Sequence, residues 1–578
     1  MKSVALAALI LLVWTAAPRA AAQTGKGSIE GSVVRSGDNS PIEGARVTLV
    51  PDDNDDDSLH EIRFFKYGPE AELQLVPPNL SATTDGQGKF ALSDVDPEET
   101  YRMVVSANGF VSQEYGQQTF PGIGRPIGLK PGQTLKGVRV ILTRTGSIEG
   151  IVKAESGEPL QDVRIRLLRY VFNGDGRRLL RLVASTTTND LGKYRLYFLT
   201  PGRYYLHAER INMHADYWRH AAAPFAPAFY PGEAEISHAS IIEIQPGMNR
   251  SGMDFSLSGE RLFRIRGQIV DARTGRAIEK GYKLLGLFDL SPDALPGGDG
   301  GFGGTLFKST YSEDSGEFDF RDIPPGRYSI GGSTFGGDEE GGTVVLRVDG
   351  DVQNVKLPFG PGTTLAGTVR ADGRVDLSEQ RRVVEIVIQP TALVDDGDDG
   401  AKTGGLYRGF EGISSRSFKI SDILPGEYRL SIRASSLPED SYIKEARYGG
   451  IDALNQPFQI SASDSRRLEI VVAASGTVEG RIVDNKQVPV SGITAVLIPN
   501  RLRTRPDLYK TAVAEADGRF EIHGIAPGDY KLFAWEGIEP YSWFDPEVIR
   551  RFETNGRAIY VSEASTQSLE LKLIPFAP

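Results

Sequence analysis

Histidine is the first residue to ask for chemistry, because its ring is a common general base and metal ligand near neutral pH. The chain has six: His60, His207, His214, His220, His238 and His523. None begins a His-x-x-Glu or His-Glu-x-x-His pattern, the spacing that sets zinc ligands and a carboxylate base on one helix face. His207, His214 and His220 share a segment, but separations of seven and six residues do not align them on a helix, and they read as loop residues. Cysteine is absent, so there is no thiolate nucleophile, thiolate metal site or disulfide. No Gly-x-Ser-x-Gly elbow offers an activated serine, and no Gly-x-x-x-x-Gly-Lys-Ser/Thr loop offers a phosphate cradle. The glycine-rich run Gly297–Gly304 precedes no helical pattern, so it reads as a flexible loop. Two acidic clusters, Asp52, Asp53, Asp55, Asp56, Asp57 and Asp395, Asp396, Asp398, Asp399, hold carboxylates of the kind calcium takes. Neither follows a calcium-loop pattern, and both read as solvated acidic loops. The expectation is a chain that is not an enzyme and has no catalytic residue, no cofactor and no metal.

Aromatic rings are the remaining candidates for recognition. Beyond Trp14 near the N-terminus, the tryptophans are Trp218, Trp535 and Trp543, accompanied by Tyr217, Phe229, Tyr230, Tyr541 and Phe544. Exposed rings of this kind stack on the apolar faces of sugars or anchor a protein partner. Trp218, Tyr230, Trp535, Tyr541 and Trp543 therefore form the candidate carbohydrate-binding set. The competing reading has the same rings packing the joints between repeats, since tryptophan is largely buried on average.

Five copies of one unit must position these rings. The phrases Gly88-Lys89-Phe90, Gly192-Lys193-Tyr194, Gly316-Glu317-Phe318, Ser417-Phe418 and Gly518-Arg519-Phe520 each precede a tyrosine, namely Tyr101, Tyr204, Tyr328, Tyr428 and Tyr530. The interval from aromatic to tyrosine is 11 residues in the first copy and 10 in the others. In the last four copies the tyrosine closes a Pro-Gly-x-Tyr phrase. Upstream of each pair an opening strand carries a glycine (Gly31, Gly150, Gly267, Gly367 and Gly480), and these are 119, 117, 100 and 113 residues apart. A closing strand with alternating apolar residues, such as Val138–Leu142 or Leu569–Leu573, ends the copies.

Apolar residues alternate with period two, as in Ala45-Arg46-Val47-Thr48-Leu49 and Val163-Arg164-Ile165-Arg166-Leu167. A sheet patterned this way has one apolar face and must stack on a second sheet, which predicts a β-sandwich for each copy. The Asp and glycines of Thr84–Phe90 suit a hairpin turn. Pro-Gly suits the centre of a type II turn, with positive φ at the glycine, and the following Tyr can bury its ring and bond backbone through its hydroxyl. Helix is scarce; Asp545–Arg550 predicts one or two turns.

Composition agrees with an exported, folded protein. Of 578 residues, 40% are hydrophobic and 24% charged, ordinary for globular chains, and the net charge of −11 argues against binding nucleic acid or anionic membrane. Lys2, the apolar run Val4–Trp14 and Ala20-Ala21-Ala22 have the form of a signal peptide over 1–22, too short to span a bilayer. The expected mature chain is secreted (periplasmic, extracellular or cell-surface associated) with no membrane span.

With these phrases in view, the chain resembles the carboxypeptidase regulatory-like domain. The residues that carry the likeness are the glycine-bearing opening strand, Pro41–Leu49 (Pro-x-x-Gly-Ala-x-Val-x-Leu), Thr84–Phe90 and Pro-Gly-x-Tyr. The resemblance covers all the repeats, strongest in the first, second and fifth. It implies an all-β chain of five tandem transthyretin-like (prealbumin-like or CnaB-like) Greek-key β-sandwich domains, of carbohydrate-binding-like fold, and an accessory role. The expected domains are 26–143, 144–259, 261–359, 362–474 and 475–575. It supplies no catalytic residue. Some collagen-adhesin relatives carry a Lys–Asn isopeptide bond, which is not expected here because no Lys recurs in the opening strands.

The function expected is a non-enzymatic binding or spacer protein at the cell exterior, with an extracellular glycan as first partner. The alternatives are a structural or protein-interaction role with an envelope protein, and an accessory subunit of an exported peptidase. The structural role predicts tight packing between repeats around the tryptophans and no ligand cleft.

Overall fold

The computed structural model describes residues 25–575 except 52–79, 118–119, 121, 123, 175, 177, 211–224, 260–261, 279–282, 291–305, 313–315, 335–339, 374, 376–382, 391–406, 413–416, 424, 433–436, 462–464 and 516. The expected signal peptide, Trp218, His60, His214, His220, both acidic clusters and Gly297–Gly304 lie outside the described residues.

One arrangement recurs along the chain. The opening strand, Gly27–Arg35 in the first copy, lies between the aromatic strand Lys89–Val95 on one side, antiparallel, and the closing strand Thr134–Leu142 on the other, parallel. The same mixed sheet forms around Gly146–Ala154, Phe263–Asp271, Thr363–Ala371 and Gly476–Val483. A second, antiparallel sheet is built on the tyrosine strand, which in the first copy is Thr100–Ser106 beside Arg46–Pro51. The alternating residues of both sheets meet in one core: Ile29, Val33, Phe90 and Leu92 from the first, Val47, Leu49, Met103 and Val105 from the second. Equivalent cores gather within residues 148–257, 265–359, 365–472 and 478–571.

The third copy departs from two separate sheets. Glu340–Val348 pairs with the tyrosine strand Gly326–Thr334 and, at its start, with the closing strand Val352–Pro361, joining seven strands into one sheet. Gly342 makes this possible, because a Cβ there would overlap the Pro358 carbonyl.

The glycine and the aromatic found in every copy are partners. Gly31 lies directly opposite Phe90, Gly150 opposite Tyr194, Gly267 opposite Phe318, Gly367 opposite Phe418 and Gly480 opposite Phe520. At each glycine a Cβ would fall under 3.0 Å from that ring and from a carbonyl oxygen of the closing segment. All five rings are buried. The missing side chain on the opening strand is thus the space that the cross-strand ring fills.

The tyrosine acts as expected at the corner. Tyr204, Tyr328 and Tyr530 donate their hydroxyls to the carbonyls of Thr200 (2.7 Å), Pro324 (3.2 Å) and Ala526 (2.8 Å), each four residues back. The type II turn expected at Pro-Gly is not formed. Gly202, Gly326, Gly426 and Gly528 open the tyrosine strands, and none has positive φ. A Cβ at Gly202 or Gly326 would crowd the tyrosine two residues on, at 3.2 and 3.0 Å, whereas at Gly426 and Gly528 it would make only ordinary contact, at 3.4 and 3.5 Å.

The turn before the aromatic strand is tight, with Gly88 at φ 70° and the Asp85 carboxylate accepting from the amides of Gln87 (2.9 Å) and Lys89 (2.8 Å). It is not a hairpin, because Ser81–Thr83 and Lys89–Val95 belong to different sheets. The turn carries the chain from one layer to the other.

His207 is in the tyrosine strand Gly202–Arg210, not in a loop. Its ring is buried 4.9 Å from the Phe229 ring, and Nδ1 has no partner among the described residues. Burial first, and Arg166 second, push its pKa down to about 3. The folded chain therefore resists protonation that the unfolded chain accepts near pH 6.5. Stability contributed here is full above that value and falls as pH drops from 6.5 towards 3.

Two outcomes check these points. Gly31→Ala should destabilise the first unit by about 1–3 kcal/mol through overpacking, whereas Gly350→Ala, where a Cβ meets nothing within 4 Å, should be near neutral. Hydrogen exchange localises the loss, and equal effects at both sites would contradict the glycine–ring pairing. His207→Leu should remove an acid sensitivity of at most roughly 1.4 kcal/mol per pH unit. Urea unfolding at pH 4 and pH 7 measures it; an unchanged pH dependence would show that His207 is not held neutral.

Candidate functional site

The last tyrosine strand, Gly528–Ala534, carries buried apolar residues on both faces. Tyr530, Leu532 and Ala534 enter the main core, while Phe533 joins Val496 and Ile498 on the outer face. A sheet with two apolar faces needs a second cover. Residues 535–556 supply it. The helix Pro546–Phe552 starts at Asp545, whose carboxylate accepts from the Glu547 amide at 2.8 Å, has proline in its first turn, and buries Ile549.

Trp535 and Trp543 lie inside this cover. Trp535 is 4% exposed and stacks on Phe533 with centroids 4.8 Å apart, while Phe552 meets it edge-on at 5.7 Å. Trp543 is 8% exposed and packs 5.5 Å from Tyr541 and 6.4 Å from Phe544. The indole Nε1 of Trp535 is itself buried without a partner among the described residues. Of the rings expected to form an open platform, Trp535 and Trp543 are buried against the outer face of the sheet and Tyr541 is partly buried beside them. Tyr230 belongs elsewhere: it is half-buried at the edge of the second core, 5.6 Å from Phe255. Among the described residues no group of three or more His, Asp or Glu is placed to hold a metal ion.

The cover also meets the start of the chain. Tyr541 and Phe544 lie against the turn that follows Val163–Phe172: a Cβ on Gly174 would be 3.6 Å from the Tyr541 ring, and one on Gly176 would be 3.0 Å from Phe544. Arg169 of that strand donates through Nη2 to both Glu539 carboxylate oxygens, at 2.6 and 2.8 Å, and through Nη1 to the Phe120 carbonyl at 3.2 Å. Arg125 stands 4.0 Å from Glu536, and beside it Pro126 lies 3.0 Å from where a Cβ on Gly492 would be. The first two copies thus present arginines, and the last presents carboxylates and two rings.

Burial raises the pKa of Glu539, against which the Arg169 charge and hydrogen bonds pull it down. A pair this enclosed contributes little net energy, but removing one partner strands the other away from water. None of Arg125, Arg169, Glu536 and Glu539 was marked by sequence. Arg169 and Glu539 are 370 residues apart, and single charged residues at such a distance carry no local signal. A second contact joins the last copy to the fourth, where His523 lies 3.3 Å from Asp440, whose carbonyl accepts from the Ser475 amide at 2.9 Å.

Residues 28–143 match the model of the carboxypeptidase regulatory-like domain. Among solved structures the chain is similar to a streptococcal ancillary pilin, at 11% identity over 58% of this chain and 99% of that one, with a TM-score of 0.22. The minor pilin of Streptococcus agalactiae is similar at 14% identity over 41% of this chain and 97% of that one, TM-score 0.22. BcpA, the major pilin subunit of Bacillus cereus, is similar at 10% identity over 74% of this chain and 99% of that one, TM-score 0.14. No curated protein matches the chain. The similarity to the carboxypeptidase regulatory-like domain thus falls on the first unit, residues 28–143.

Proposed function

We propose that this chain is a non-enzymatic structural and protein-interaction protein of the cell exterior. Its proposed domains are 26–143, 144–259, 261–359, 362–474 and 475–575, exported by a signal peptide over 1–22. The observation that carries this reading is the fate of the aromatics. Trp535 and Trp543 are buried, and their neighbours Tyr541 and Phe544 pack a joint between repeats. Tight inter-repeat packing is what a structural role requires, and it takes away the ring platform on which sugar binding would rest. The described residues also contain no helix long and apolar enough to cross a membrane.

Burial of Trp543 has a measurable consequence. Trp543→Ala should cost about 3–5 kcal/mol in the cover of the last unit, seen as faster proteolysis within residues 535–556. The wild-type chain should not be retained on a glycan panel. Retention on a glycan, lost specifically in Trp543→Ala while the cover stays protease-resistant, would replace this proposal with carbohydrate recognition.

A further inference from the structure

We propose that the joint between the last unit and the first two is an exchangeable interface whose other occupant is a second copy of this chain. The inference rests on the structural reading above and extends it to assembly. The described contacts across the joint are between side chains or between side chains and glycines: Arg169 with Glu539, Arg125 with Glu536, Tyr541 and Phe544 on Gly174 and Gly176, and Arg125 and Pro126 beside Gly492. No strand pairing runs across it between the described residues of these units. Each unit keeps its own core, so separating the joint opens no core.

The two faces differ in kind. Arginines lie on one, glutamates and rings on the other, so the interface is head-to-tail rather than self-matching. Complementary faces at the two ends of one chain can close that chain on itself, be exchanged reciprocally between two chains, or extend into an open series. Which form wins depends on the effective concentration of the tethered end, which the span and stiffness of the third and fourth units set. Closed monomers are therefore the dilute form, and exchange between copies belongs to the crowded one. A second copy is the fitting partner because it brings the same carboxylate pair and rings to the same arginines.

Charge reversal separates closure from exchange. Arg169→Glu and Glu539→Arg are each made in the full chain, and the two changes are also combined in one chain. In either single variant residues 169 and 539 carry like charge, both within a chain and between identical chains. Each should be monomeric and open, with a larger radius of gyration in small-angle scattering than wild type, and the combined variant should close again. Mixing the two single variants makes both exchanged joints complementary. Native mass spectrometry should then show a 1:1 heterodimer at a concentration where each alone is at least tenfold poorer in dimer. A mixture that stays monomeric, although the singles open and the combined variant closes, overturns exchange and leaves the intramolecular joint standing. Single variants as compact as wild type overturn both the joint and the exchange.

Discussion

A ring lying across a glycine holds each repeat together. An opening strand with a side chain at position 31, 150, 267, 367 or 480 would collide with both of its neighbours, the aromatic strand and the closing segment. Glycine alone satisfies both contacts, and the void it leaves on the core face is filled by the opposed phenylalanine or tyrosine. The pair also fixes register, because a one-residue slip would turn the ring out of the core and an exposed residue in. The antiparallel partner and the parallel partner are thereby tied to one point of the central strand, and the rest of the two-layer unit is arranged around it.

The tyrosine corner and the last unit's cover show how the same scaffold is finished in different ways. At the corners the ring packs into the core and the hydroxyl of Tyr204, Tyr328 and Tyr530 reaches the carbonyl four residues back, with Gly202 and Gly326 leaving room for the ring. The outer face of the tyrosine strand is where copies diverge. In the second copy it buries His207 against Phe229. In the last it buries Phe533 beneath Trp535 and a short helix. Burial on that outer face lets the last unit offer a firm edge, Glu536 to Phe544, to the first two.

The repeat, its sheets and its inward residues were legible in sequence because period-two alternation and a fixed aromatic-to-tyrosine interval are local signals. Individual turns were less legible. Pro-Gly suits a type II turn and a strand start equally well by composition, and only the backbone φ of the glycine decides between them. The Asp–Gly turn has hairpin chemistry, but sequence does not say that its two strands enter different layers. Least legible was the candidate site. Tryptophan type and placement suit an exposed platform as well as a buried cover, and the deciding residue, Phe533, sits on the unexpected face of its strand. Arg169 and Glu539 belong to separate repeats, and nothing in either repeat points to the other.

The central claim is that separately sealed repeats are folded back so that the last rests on the first two. Absence of native cysteine permits clean double labelling, for instance at the exposed positions Glu155 and Lys486 after replacement by Cys. Pulsed electron spin resonance between the two labels, in dilute solution, reads their separation directly. The account predicts one narrow distance distribution that stays unchanged on further dilution. A broad distribution extending to long separations, as from repeats strung freely one after another, would contradict it.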